Sequence, residues 1–351
     1  MDGTAAARLL DWDTAARVGA RLAGPGPPIL RRDLDGLRED FAERTEEAEA
    51  VVRQFAGLEI DGPPSRPWVM RRSDWITQNL RTFERVMEPL AKRVLEKRPD
   101  GPFVQVRRKA LGFQLGALLG LLGRKVLGQY DPFAPPDDRN LIYFVGPNVV
   151  ELERRYGFPV PDFRLWLCLH EITHRLQFDG VPWLLGHIAG LVRTYLDSVE
   201  LDPGRLLESI RRAREDMRTE DQRHGLGVLF LLMSPEQRET FRRMQAVMSL
   251  LEGHGNYVMD ALSDGRVRDG PRMRRVLHER RNSKGMGRVV QMVAGLDAKV
   301  RQYSLGERFV ATAVQQAGMP GFNRVWESAS NLPTLEEIQS PKTWVERVAA
   351  S

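Results

Sequence analysis

Apolar residues in this 351-residue chain recur at three- and four-residue spacing through most of its length, which predicts a mainly helical protein. Helices are expected over 5–23, 33–56, 73–97, 104–124, 147–156, 163–178, 183–198, 203–218, 235–262, 286–301 and 304–317. Proline and glycine clusters at 24–28, 62–67, 132–136 and 157–161 separate the early ones. The one convincing strand is LIYFV at 141–145, a β-branched and aromatic run between turn signals. The fold class is therefore α+β with helices dominant. Length suits one large domain or two lobes. We expect a helical N-terminal region over 1–125 and a core over 126–351 with a helical insertion, together forming one compact unit.

Stretch 163–178 reads FRLWLCLHEITHRLQF and carries the most specific chemistry in the chain. Phe163, Trp166, Leu167, His170, His174, Gln177 and Phe178 share one helical face, and Asp162 is placed to cap the helix. His170 and His174 are four residues apart, so both imidazoles leave the same side and can hold two corners of a zinc tetrahedron. Glu171 is about 100° round the helix, near enough to act on a water held there without being a ligand. The bland alternative is a helix with two histidines and a carboxylate that find ordinary partners. The apolar surroundings oppose it, because buried polar groups without partners are costly.

A catalytic zinc site keeps three protein ligands and one open position. The metzincin pattern would need Gly at 177 and His at 180; Gln177 and Gly180 stand there, which excludes that class. His187, His224, Glu252, His254 and His278 remain as third ligands. Glu252 is the best placed, in SLLEGHGNYVMD at 249–260, on a helix whose start has the form of a capping box, with Ser234, Pro235 and Gln237. It borders an apolar face made by Phe241, Met244, Val247, Met248 and Leu251. Asn256 and Asp260 follow at one and two turns, and Asn256 could orient a zinc-bound imidazole, as in gluzincins. An interhelix salt bridge is the bland account of Glu252. Gly253 and Gly255 weaken a helix interior, which implies that something packs or binds closely there. His187 is the runner-up ligand. His254 points elsewhere on the helix and could reach substrate only if the helix distorts. Tyr257, Tyr303, His187, His254 and His278 are candidates for stabilising an oxyanion.

Composition narrows the rest. The single cysteine, Cys168, excludes a disulfide framework and is read as core. The start, MDGTAAARLLDWD, shows no secretory signal, so a reducing cytoplasm is expected. Net charge is +5, and the densest basic run is RMRRVLHERR at 272–281. No base-reading motif accompanies it, so it is read as a solvated helix face and no nucleic-acid partner is expected. ALGFQLGALLGLLG at 110–123 is too short to span a bilayer. Its stripe of Gly112, Gly116 and Gly120 would let another helix approach closely. A membrane-surface role for this segment is the lesser alternative, and no membrane partner is expected.

The chain resembles the uncharacterised zincin-like metallopeptidases of actinobacteria and Chloroflexi, some of them labelled as associated with deazaflavin-coenzyme biosynthesis. The segments that carry the resemblance are LGQYDPF at 127–133, YFVGPNVVELERRYG at 143–157, LHEITHRLQFDGVPWL at 169–184, LLEGHGNYVMDAL at 250–262, KVRQYSLGERFV at 299–310 and NRVWESASNLPT at 323–334. The N-terminal LDWDTAARVGARL is also similar. The resemblance implies a zincin-like core with a Zn2+ held by His170, His174 and Glu252, and Glu171 as base. It implies little about substrate. Glu252 comes 78 residues after His174, a large insertion for a gluzincin. In zincins an edge strand lies beside the metal and pairs with extended peptide; LIYFV is expected in that place, with a buried structural strand as the alternative. The expected activity is hydrolysis of a peptide bond. The rivals are a zinc hydrolase of a small amide or ester, and a zincin-fold interaction protein with little turnover.

Overall fold

The computed structural model describes residues 4–97, 103–198, 233–282 and 297–349. The helix expected over 203–218, and the part over 286–296 of the one expected at 286–301, lie outside the described residues.

Strand β3 (Leu141–Val145) is the centre of a small mixed sheet. β1 (Arg66–Met70) pairs with it in parallel and β2 (Gly128–Tyr130) pairs antiparallel on the other side. All five residues of β3 are buried. The expectation that it is an edge strand is therefore corrected: both of its edges are taken, and the free edges belong to β1 and β2. The alternation of β3 places Leu141, Tyr143 and Val145 in one apolar cluster with Trp75, Ile76 and Leu119. On its other face Phe144 stacks on Phe41 at 4.0 Å between ring centres.

Two compact units account for the chain. The first takes residues 4–51, 62–175 and 265–270 of the described chain, including the sheet. Its helices are α1 (Trp12–Ala23), most of α2 (Arg31–Ala56), α3 (Arg72–Lys97), α4 (Val104–Gly123), α5 (Gly146–Tyr156) and most of α6 (Val160–Asp179). The helix expected over 5–23 is split, because Asp11 accepts from Thr14 N at 2.8 Å and caps a fresh start at Trp12. The glycine stripe acts as read: a Cβ at Gly112, Gly116 or Gly120 would collide with the α1 backbone at Asp11, Ala15 or Gly19. Helix α6 begins at Val160, earlier than expected, with Phe163 N donating to Pro159 O. Asp162 is therefore inside the first turn and not the cap; it accepts from Arg268 N and Nε at 2.9 and 2.8 Å.

Buried polar pairs fix α6 to its neighbours in this unit. Arg164 is bidentate to Glu153 of α5 at 2.8 and 3.1 Å and reaches Asp40 of α2 at 3.0 Å. Arg175 donates to Glu49 of α2 at 3.3 Å and to Ser65 Oγ and Pro63 O. Cys168 is buried beside Thr45 Oγ at 3.6 Å, and burial pushes its thiol far above the usual range. It is a core residue, as the sequence suggested.

The second unit takes residues 52–61, 176–264 and 271–349 of the described chain. It contains α7 (Leu184–Ser198), α8 (Pro235–Ser263), α9 (Gly270–Asn282) from Pro271, α10 (Asp297–Asn323) and the short α11 (Leu335–Gln339) and α12 (Pro341–Trp344). The capping box at Ser234 and Gln237 is present in both directions. Helix α10 continues past the expected end at 317 through a kink at Gly318, whose φ of 68° suits glycine. Gly253 of α8 meets Gly306 of α10 so closely that a Cβ on either would collide with the other helix.

Candidate metal centre

The motif helix is almost wholly buried between 163 and 177; only His170 and His174 in that run are partly open to solvent. The same holds on α8 between 249 and 255, where Glu252 alone is partly open. His170 Nε2 and His174 Nε2 lie 3.1 Å apart, with the rings edge to face at 83°. Two ligands on a tetrahedral zinc with bonds of ~2.05 Å would be about 3.3 Å apart, so the two atoms stand close to that spacing, which is also within hydrogen-bond reach. Each of His170, His174 and Glu252 offers one ligand atom, and the three atoms lie within 4.8 Å of one another. Two imidazoles and one carboxylate are a donor set that zinc takes when the fourth position is left for chemistry.

Glu171 is 7% exposed and sits against β2. Its Oε2 accepts from Tyr130 N at 3.1 Å. Val145 N donates to Leu127 O, so by antiparallel alternation Gly128 and Tyr130 turn their N–H and C=O away from β3. Glu171 therefore lies along the free edge of β2. Gly128 permits this: an added Cβ would stand 2.7 Å from both Cγ and Oε1 of Glu171. The strand is itself fixed through Gln129, which accepts from Trp75 Nε1 and exchanges amide bonds with Asn79.

Gln177 is one turn beyond His174 and fully buried. Its Nε2 donates to Leu251 O at 3.0 Å, next to Glu252, and lies 2.9 Å from His254 Nδ1. With Gln177 as donor, His254 carries its proton on Nε2. His254 is fully buried between Phe322 and Trp326, at 5.2 and 5.4 Å between ring centres. It is packed as a core histidine of the second unit.

A model of the zincin-like metallopeptidase family matches residues 10–345. The chain belongs to the zincin-like metallopeptidase family. That membership marks it as a metal-dependent hydrolase. A crystal structure of a candidate hydrolase with a novel fold, from Chloroflexus aurantiacus, is similar with a TM-score of 0.73 and 29% identity, covering 97% of this chain and 98% of that one. No curated protein matches it.

The remaining candidates of this zincin-like chain fall in different places. Asn256 is half-buried one turn past Glu252, and its amide makes no hydrogen bond among the described residues. Asp260 forms an ion pair with Arg274, which also holds Glu307 at 2.8 Å, so its charge is balanced by that cation. Tyr257 is half-buried with its ring 6.4 Å from Phe55, and burial raises its phenol pKa. His187 lies edge-on to Trp183 at 5.9 Å; burial, and then Arg243, lower its pKa, and it is not in the metal-competent group. The side chains of His278 and Tyr303, and all of His224, lie outside the described residues. No helix among the described residues is long and apolar enough to cross a membrane. Gly128, Tyr130 and Gln177 were not read as site residues. Gly128 and Tyr130 lie in LGQYDPF, one of the segments that carries the family resemblance, but a three-residue strand leaves no periodicity to read.

Proposed function

We propose that the protein is a zinc hydrolase of peptide bonds, with His170, His174 and Glu252 as ligands and Glu171 as general base. The observation that carries this reading is the convergence of the three ligand atoms within 4.8 Å, with the two Nε2 atoms close to tetrahedral-edge spacing. When bound, zinc supplies Lewis acidity toward a carbonyl and lowers the pKa of water. His170 and His174 would hold it through Nε2, and Glu252 through a carboxylate oxygen. Glu171 takes a proton from the attacking water on its carboxylate and passes it to the leaving amine. Tyr130 N–H holds one carboxylate oxygen of Glu171 in place and leaves the other to carry the proton. The free edge of β2 offers the outward backbone groups of Gly128 to an extended substrate.

One observation favours a small amide or ester instead. The outward N–H of Tyr130, which a pairing peptide would use, is already engaged by Glu171.

Metal analysis and kinetics test the proposal together. Wild type should bind one zinc per chain and Glu252→Ala should lose it, while His187→Ala keeps it. Retention by Glu252→Ala with loss in His187→Ala overturns the ligand set. Glu171→Gln should keep the metal and lose at least about a hundredfold in turnover; equal hydrolysis by that variant sinks the mechanism. Comparing peptides with small amides as substrates separates the two substrate classes.

A further inference from the structure

Helix α4 packs through one side and exposes apolar side chains on another. Gly112, Gly116 and Gly120 make the side against α1. Phe103, just before the helix, and Val106, Ala110 and Phe113 recur at spacings of three and four and so form one line, about 100° round the helix from the glycine stripe. Phe103, Val106 and Phe113 are 78%, 66% and 56% exposed, among the largest exposures of apolar side chains among the described residues. Projected round the helix, exposed Arg107 borders this line on one flank and exposed Lys109 on the other. An apolar stripe edged by cations is the pattern of a helix that lies in the plane of a membrane surface.

We propose that this face of α4 seats on an anionic phospholipid surface. Phe103, Val106 and Phe113 enter the zone between headgroups and acyl chains, and Arg107 and Lys109 meet headgroup phosphates. Charge selects this occupant. Helix α4 contains no acidic residue, so two copies packed face to face would set cation against cation. Asp11, whose backbone packs on Gly112, caps α1 and lies within electrostatic reach of Lys109, while Arg107 has no acidic partner among the described residues. The chain as a whole carries +5, which favours approach to an anionic surface. The helix lies on such a surface and does not cross it.

The test is cosedimentation of the full-length protein with phosphatidylcholine vesicles, with and without phosphatidylserine. Binding should require phosphatidylserine and fall with added salt. Phe113→Ser should weaken it by about tenfold. Arg107→Glu with Lys109→Glu should weaken it by about 25-fold or more, at about fivefold per cation. These side chains are exposed, so each variant should keep the wild-type melting temperature; the charge pair serves as a second probe if Phe113→Ser does not. No binding to the anionic vesicles overturns the proposal, as does binding that both variants leave unchanged. A dimer in sedimentation velocity that Phe113→Ser dissolves assigns the face to a second copy and also overturns it.

Discussion

At the scale of single residues, the proposed site draws on Glu252 and Gln177 outside the His-Glu-x-x-His stretch and on the absent side chain of Gly128. Gly128 gives Glu171 its place along β2, so Gly128→Ala should push the carboxylate aside. We expect turnover to fall by about a hundredfold with zinc content unchanged, since a displacement near 1 Å is enough for that. Equal turnover would show that Glu171 does not act from this position. Gln177 donates to Leu251 O and pairs with His254, the residues on either side of Glu252 and Gly253. Gln177→Leu keeps the shape and removes the donor. It should cost about 1–3 kcal/mol of stability and weaken zinc binding by about tenfold or more, read by chelator competition. Unchanged affinity would mean that Gln177 only fills space. The proposed roles of His170, Glu171 and His174 come from a local relation, their helical spacing, and that of Glu252 from a carboxylate on an apolar face. Gly128 and Gln177 were not legible in the sequence, because each matters through a contact far along the chain.

At the scale of elements, most of the expected helices up to 262 were read within a few residues, whereas the break expected at 302–303 is absent from α10 and α9 was not among the expected helices. Apolar periodicity runs through Leu9 and Leu10, yet the Asp11 cap restarts the helix at Trp12. Strands β1 and β2 went unread: β1 has Pro67 in second place and β2 is three residues long. With both partners unseen, β3 could not be recognised as the central strand. The glycines give a sharp contrast in sign. Gly116→Ala places a methyl against the backbone of Ala15, and should lower stability by about 1–3 kcal/mol. Gly36→Ala, on an exposed part of α2 with nothing within 4 Å, should raise stability by roughly 0.5–1 kcal/mol. Thermal melts of the two variants check this. A Gly116→Ala protein as stable as wild type would mean that α1 and α4 are not held in close backbone contact.

At the scale of the whole molecule, the zincin-like family and the mainly helical fold could both be read from the sequence. The order of elements within two interleaved units could not, because one unit takes three separate stretches of chain and so does the other. What makes the molecule an enzyme candidate is narrower than its fold. It is the meeting, proposed above, of two histidines with one carboxylate 78 residues later in the chain, a group that could hold a metal. Anomalous diffraction from a zinc-loaded crystal at the zinc absorption edge tests that meeting most directly. A single strong peak about 2.0–2.2 Å from His170 Nε2, His174 Nε2 and a Glu252 oxygen is the predicted result. A zinc peak held by other residues, His187 among them, or one that leaves Glu252 out, would contradict it.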